Sequence, residues 1–155
     1  MSTPSPPQLE FAFEAIAEVG APLDLGITPH GRRRIIPVLG GRFEGPRIRG
    51  RILPGGADWQ IVRADGAAEL DARYTLETDH GALIYVSNRG LRHGPPDVLA
   101  RLNAGEAVEP AAYYFRTVAQ FETGAPECQW LTHAIFVANA ERHPDKVIVR
   151  FWKLL

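Results

Sequence analysis

The chain has 155 residues, 45% of them hydrophobic and 23% charged, which is the balance of one ordinary globular domain able to bury a core without staples. Its net charge of -1 supplies no field for nucleic acid or an anionic membrane, and its one cysteine, Cys128, excludes an intramolecular disulfide and a cysteine-rich zinc site. No run approaches the roughly 18 apolar residues of a membrane helix, and the opening "MSTPSPPQLEF" lacks the basic and apolar regions of a secretory signal, so a cytoplasmic protein is expected.

Residues 1–7, with Pro4, Pro6 and Pro7, are expected to form a flexible tail, and residues 8–155 one domain. "LEFAFEAIAEV" alternates, placing Leu9, Phe11, Phe13, Ala15, Ala17 and Val19 on one face and Glu10, Glu14 and Glu18 on the other, the period of a half-buried strand. "LDLGITPHG" reads as a loop. A strand from Arg33 to Leu39 follows, ended by Gly40-Gly41, with Pro37 marking an edge or bulge. "PRIRGRIL" alternates again, with Ile48, Gly50 and Ile52 against three arginines. "PGG" turns the chain, "DWQIVR" is a short strand, and "ADG" is a hairpin signal.

"AAELDARYTLET" is the clearest strand, setting Ala68, Leu70, Ala72, Tyr74 and Leu76 against Glu69, Asp71, Arg73, Thr75 and Glu77. "DHG" turns it into "ALIYVSNRG", so Asp58 to Asn88 reads as a three-stranded meander. Pro95 to Ala104 is the one convincing helix, with prolines at its entry, Asp97 at its positive end and Gly105 past its last turn. "AYYFRTVAQFETG" is a strand, "APECQWL" holds one helical turn, and "THAIFVANAER" and "KVIVRFWKLL" form a last hairpin across "HPD". Eight or nine short antiparallel strands in one small domain predict an all-β fold, a single antiparallel barrel or, failing that, a sandwich.

The segments "GGRFEGPRIRGRILPGGADWQIVRADG", "LDARYTLETDHGALIYVSNRG", "YYFRTVAQFETG" and "WLTHAIFVANAER", in this order and spacing, resemble domain-of-unknown-function family 3237, also called uncharacterised protein family 0311. The resemblance runs from about Leu9 to the end. It implies a cytosolic bacterial β-barrel of about this length, and no established catalytic residues. The polar pieces that match its pattern are Asp58-Trp59-Gln60, Asp71, Arg73-Tyr74, Tyr85, Tyr114-Phe115-Arg116, Glu122 and Trp130. Thr132 and His133 depart from it, since the family more often carries asparagine and arginine there.

In a small barrel alternate residues face inward. With Asp58 and Gln60, Asp71 and Arg73, and Tyr114, Arg116 and Glu122 facing the lumen, the interior suits a small organic ligand, anionic or aromatic. Asp58 is then the general acid or base, and Arg73 and Arg116 grip an anionic group. Tyr85 and Tyr114 donate hydrogen bonds, Trp59 stacks, and Gln60, Asp71 and Glu122 complete the ligand contacts. The opposite parity makes Asp71 and Arg73 solvated and puts Tyr74 and Phe115 in the core.

The expected chemistry is non-metal acid–base catalysis, such as isomerisation, cyclisation or hydration. The competing reading is a non-catalytic binding or oligomerisation module with a structural polar network. No metal is expected, because His30, His80, His93, His133 and His143 form no ligand spacing, and no cofactor, because Gly40-Gly41 and Gly55-Gly56 each precede strand-like sequence rather than a helix. A G-x-S-x-G nucleophile is absent, and Cys128 reads as a small hydrophobe. The Arg32-Arg33-Arg34 and Arg47/Arg49/Arg51 stripes read as solvated strand edges rather than a nucleic-acid surface, and a homo-oligomer is compatible with the exposed strands.

Overall fold

The alternation of apolar and polar residues is realised as ten strands in one antiparallel sheet that closes on itself. The computed structural model describes residues 2–155. The strands are β1 (Leu9–Val19), β2 (Leu23–Thr28), β3 (Gly31–Glu44), β4 (Arg49–Ile52), β5 (Ala57–Val62), β6 (Ala68–Thr78), β7 (Leu83–His93), β8 (Tyr114–Glu122), β9 (Phe136–Arg142) and β10 (Lys146–Leu154). Their order is β1-β10-β9-β8-β7-β6-β4-β3-β2, and a β1–β3 ladder closes the ring into an eight-stranded barrel. β4 and β5 occupy one position between β3 and β6, interrupted at Leu53–Gly56, while β2 extends along β3 beyond β1.

The two ends of the barrel are filled differently. Phe13, Phe43, Phe121, Phe136 and Phe151 interlock in one half, with Phe13 and Phe151 4.6 Å apart and Phe121 edge-on to Phe136 at 5.2 Å. Leu76, Ile84 and Val86 complete this apolar half. A 3-10 segment, Pro126–Thr132, buries Cys128 and Leu131 beside it. Helix α1 (Pro96–Asn103) follows the end of β7, at the opposite end of the barrel. Pro96 opens it, and Leu99 and Leu102 are buried on the barrel, a stabilisation of roughly 1.5–3 kcal/mol each.

Three departures from the sequence reading have physical causes. "LDLGIT" is a strand, β2, rather than a loop. Its backbone pairs with Gly31–Ile35 while Leu23, Leu25 and Ile27 stay exposed, so no burial pattern marks it. β3 runs on through Gly40 and Gly41 instead of ending there. Both take positive φ, and a Cβ on Gly41 would stand 2.0 Å from the Ile16 carbonyl oxygen, so the glycine is what lets β1 close the barrel. In β1 the register shifts between Phe11 and Phe13, which turns Phe11 outward and buries Ala12 and Phe13 together.

Gly41→Ala is therefore expected to lower the melting temperature by roughly 6–12 °C, the equivalent of about 3 kcal/mol in a domain of this size. A thermal melt of the purified variant checks this.

Candidate functional site

Where the apolar half of the barrel ends, the inward-facing positions become polar. Along β7 the same parity that buries Ile84 and Val86 carries Asn88 and then Arg92. On β8 it carries Phe115, Thr117 and Ala119, on β9 Ala138, Ala140 and Arg142, and on β5 Asp58 and Gln60. Asp58, Gln60, Asn88, Arg92, Thr117 and Arg142, with Leu70, Tyr74, Phe115 and Val149, line a cavity with ≈ 70 Å³ for the centres of water molecules, on the order of five waters.

Asp58 is fixed by a gap in the wall. β5 and β6 pair at Ala57–Asp58 and again at Ile61–Val62, but not between. The Asp58 carboxylate takes over the unpaired backbone: Oδ1 accepts the Asp71 N–H at 2.9 Å, and Oδ2 accepts Gln60 Nε2 at 3.1 Å. From the outside, Arg33 donates to the Trp59 carbonyl at 2.8 Å. Burial holds the Asp58 carboxyl above the ordinary carboxylate range, against the opposing pull of its two hydrogen bonds and of Arg92.

The cations of the lumen are less well matched. Arg92 is buried, its guanidinium 5.6 Å from the Phe115 ring, and burial together with nearby Arg142 lowers its pKa to about 10. It is still charged at neutral pH. Burial also lowers the pKa of Arg142, whose Nη1 donates to the His143 carbonyl at 2.9 Å, and of Arg34, whose Nη1 donates to Asn103 Oδ1 at 3.2 Å. Tyr113 sits beside them, its hydroxyl accepting the Arg142 N–H at 2.9 Å. Among the described residues three buried polar atoms, Gln60 Oε1, Asn88 Oδ1 and Thr117 Oγ1, have no protein partner.

Of the residues expected at a site, Asp58 and Gln60 face this cavity, and seven do not. Asp71 and Arg73 lie on the outer face, paired with each other at 3.3 Å, and Asp71 also faces Arg89 at 3.6 Å. Trp59 is turned outward between its two inward neighbours. Tyr114 and Arg116 stack at 5.5 Å beside an open outer groove with Leu91 and Trp152. Tyr85 and Glu122 border another outer groove with Ser87 and Gln129. The lumen-facing expectation for Asp71, Arg73, Tyr85, Tyr114, Arg116 and Glu122 is corrected, because the apolar faces of β6, β7 and β8 take the interior and the charged faces follow solvent. Asn88, Arg92, Thr117 and Arg142 went unmarked. Their signal was a lone polar residue at the parity of the buried apolar ones.

Among the described residues no cluster of three or more His, Cys, Asp or Glu side chains could hold a metal ion, and no helix is long and apolar enough to cross a membrane. Fold and cavity together define a small antiparallel barrel whose largely apolar lumen carries a few buried polar side chains. The chain belongs to the family described as protein of unknown function (DUF3237), whose model matches residues 7–154.

A UPF0311 protein of Rhodopseudomonas palustris is 46% identical over 148 residues, covering 96% of this chain and 97% of that one. A crystal structure of a conserved protein of unknown function from that organism superposes with a TM-score of 0.94 at 44% identity, covering 99% of this chain and all of the other. A β-barrel-like protein of Acinetobacter baumannii superposes at 0.86, also 44% identical, with each chain fully covered. More distantly, a hydroalkoxylation enzyme of Penicillium herquei is 33% identical over 86 residues, 56% of this chain and 57% of the enzyme. The crystal structure of an enzyme from the same organism shares the fold, with a TM-score of 0.74 at 22% identity over 100% of this chain and 99% of that one.

Two predictions follow from the geometry. A carboxyl whose pKa is raised by folding contributes stability that is complete below its unfolded value near 3.8 and is lost as pH rises through the folded value. Asp58→Asn removes that loss, so it is expected to melt above the wild type at pH 8, with the gain vanishing near pH 4. Paired melts at the two pH values check it. Arg73→Ala loses only an exposed ion pair and is expected to leave the urea denaturation midpoint close to that of the wild type.

Proposed function

We propose that this protein binds a small organic molecule in the lumen cavity lined by Asp58 and moves a proton to and from it through the Asp58 carboxyl. The observation that carries this reading is a buried carboxyl of raised pKa facing a cavity whose Gln60, Asn88 and Thr117 atoms lack partners. Buried polar atoms ordinarily find a partner in the protein or in an ordered molecule beside them. A ligand with hydrogen-bonding groups supplies what they lack, and perturbed acids gather where proton transfer is needed.

The similarity to a hydroalkoxylation enzyme supports one form of the chemistry, the addition of a hydroxyl across a carbon–carbon double bond. Protonated Asp58 delivers its proton to one alkene carbon. The substrate hydroxyl oxygen bonds to the other carbon, and its proton passes to the Asp58 carboxylate, which restores the acid. Atoms and electrons balance without an oxidant or a metal. The cavity walls, Leu70, Tyr74, Phe115 and Val149, keep bulk water from the cationic carbon that forms on the way. Gln60 and the Asp71 N–H hold the carboxyl in place through both halves of the reaction. With the protonated form as the active one, turnover falls as pH rises through the raised pKa of Asp58.

The test is incubation of the protein with a cellular small-molecule extract in deuterium oxide, followed by mass spectrometry. The wild type is expected to convert at least one compound to an isomer carrying carbon-bound deuterium, and Asp58→Asn to reduce that conversion by about 10²–10⁴-fold. Indistinguishable extracts from the two proteins contradict the reading.

A further inference from the structure

The cavity is chemically two-ended. Arg92 and Arg142 stand at the end nearer α1, and among the described residues Asp58 is the sole carboxylate that lines it. Neither guanidinium has a carboxylate bonded to it; Asp58 acts on both only at a distance. A buried arginine without an anion is costly, because its desolvation is not repaid by a paired charge. Arg92 is 4% exposed and Arg142 half-buried, so neither cation is fully hydrated by solvent.

Farther in, the unpartnered atoms are of the other kind. Gln60 Oε1 and Asn88 Oδ1 are acceptors, and Thr117 Oγ1 can accept or donate; the three residues are 1%, 4% and 5% exposed. Acceptors at one end and cationic forks at the other ask for a ligand that is anionic at one end and bears a hydroxyl or enol at the other. The planar guanidinium fork matches a carboxylate better than a spherical anion.

We infer that the lumen takes a small hydroxycarboxylate, its carboxylate seated on Arg92 and Arg142 and its hydroxyl donating to Gln60 or Asn88 beside Asp58. The volume admits on the order of five to eight non-hydrogen atoms. Arg34, held by Asn103 at the end of α1, lies outside the cavity lining but near enough to feel Asp58 and to act on Arg92 through its charge, and adds a third cation that draws the anion in. This assignment rests on the lumen being the binding site, and it adds the substrate class and places the anion on arginines distinct from the acid.

The test is isothermal titration at pH 7 with glycolate, lactate and 3-hydroxybutyrate, against butyrate, which lacks the hydroxyl, and 1,3-butanediol, which lacks the charge. At least one hydroxycarboxylate is expected to bind about tenfold or more tightly than butyrate and the diol. Arg142→Gln is expected to weaken it by about tenfold or more, and Arg142→Lys by less. Arg142 is only half-buried, so these variants keep the fold, as a melt within a few degrees of the wild type shows.

Asp58→Asn is expected to retain hydroxycarboxylate binding. Equal binding of the diol, or unchanged affinity in Arg142→Gln, overturns the hydroxycarboxylate assignment and leaves proton transfer by Asp58 to stand or fall on its deuterium test. Binding of no member of the panel overturns the assignment as well, again without touching the deuterium result.

Discussion

A carboxyl buried in the wall of a closed barrel is the constraint from which the rest of the site follows. Asp58 replaces a missing rung of the β5–β6 ladder, so its carboxylate is both a backbone partner and a wall of the cavity. A freely rotating side chain would be a poor proton donor, since its position relative to the reacting atom would vary. Here two hydrogen bonds from fixed donors set its orientation, while burial raises the cost of its charge. The same groups that satisfy the strand gap therefore prepare an acid.

The apolar half of the barrel makes this affordable. Interlocked phenylalanines and fully buried Leu76, Ile84 and Val86 supply stability at one end, where no polar side chain is needed. At the other end Asn88, Thr117, Gln60 and Arg92 are held on strands continuous with that core. Rigid strands place them more closely than loops would. Helix α1 packs at that end through Leu99 and Leu102, and its last residue, Asn103, holds Arg34. Apolar packing and the cavity thus divide the barrel along its axis.

Much of the fold was legible because one-sided burial leaves a period of two. β6 and β8 follow it closely, and the helix announced itself through its prolines and Asp97. What escaped was structure without a burial signature. β2 exposes its apolar side chains and is held by backbone pairing and the exposed Asp24–Arg32 ion pair, and the Gly40-Gly41 step continues a strand because tertiary closure requires it.

The site was half legible. Asp58 and Gln60 stood out as adjacent polar residues, but the paired charges on β6 and β8 drew attention to the outer face. The interior polar residues are isolated among apolar ones, as Asn88 is two residues from Val86, so local composition hides them. Only parity, read from the apolar face inward, separates Arg92 from the solvated Arg89.

The central claim is that the fold holds Asp58 as an acid inside the lumen. The most direct measurement is a carbon-detected NMR titration of its side-chain carboxyl in the intact protein, assigned through Asp58→Asn. A midpoint clearly above 3.8, the ordinary aspartate value, is the predicted result. A midpoint at or below that value would show a permanently ionised side chain serving only to pair the Asp71 N–H, and would contradict the account.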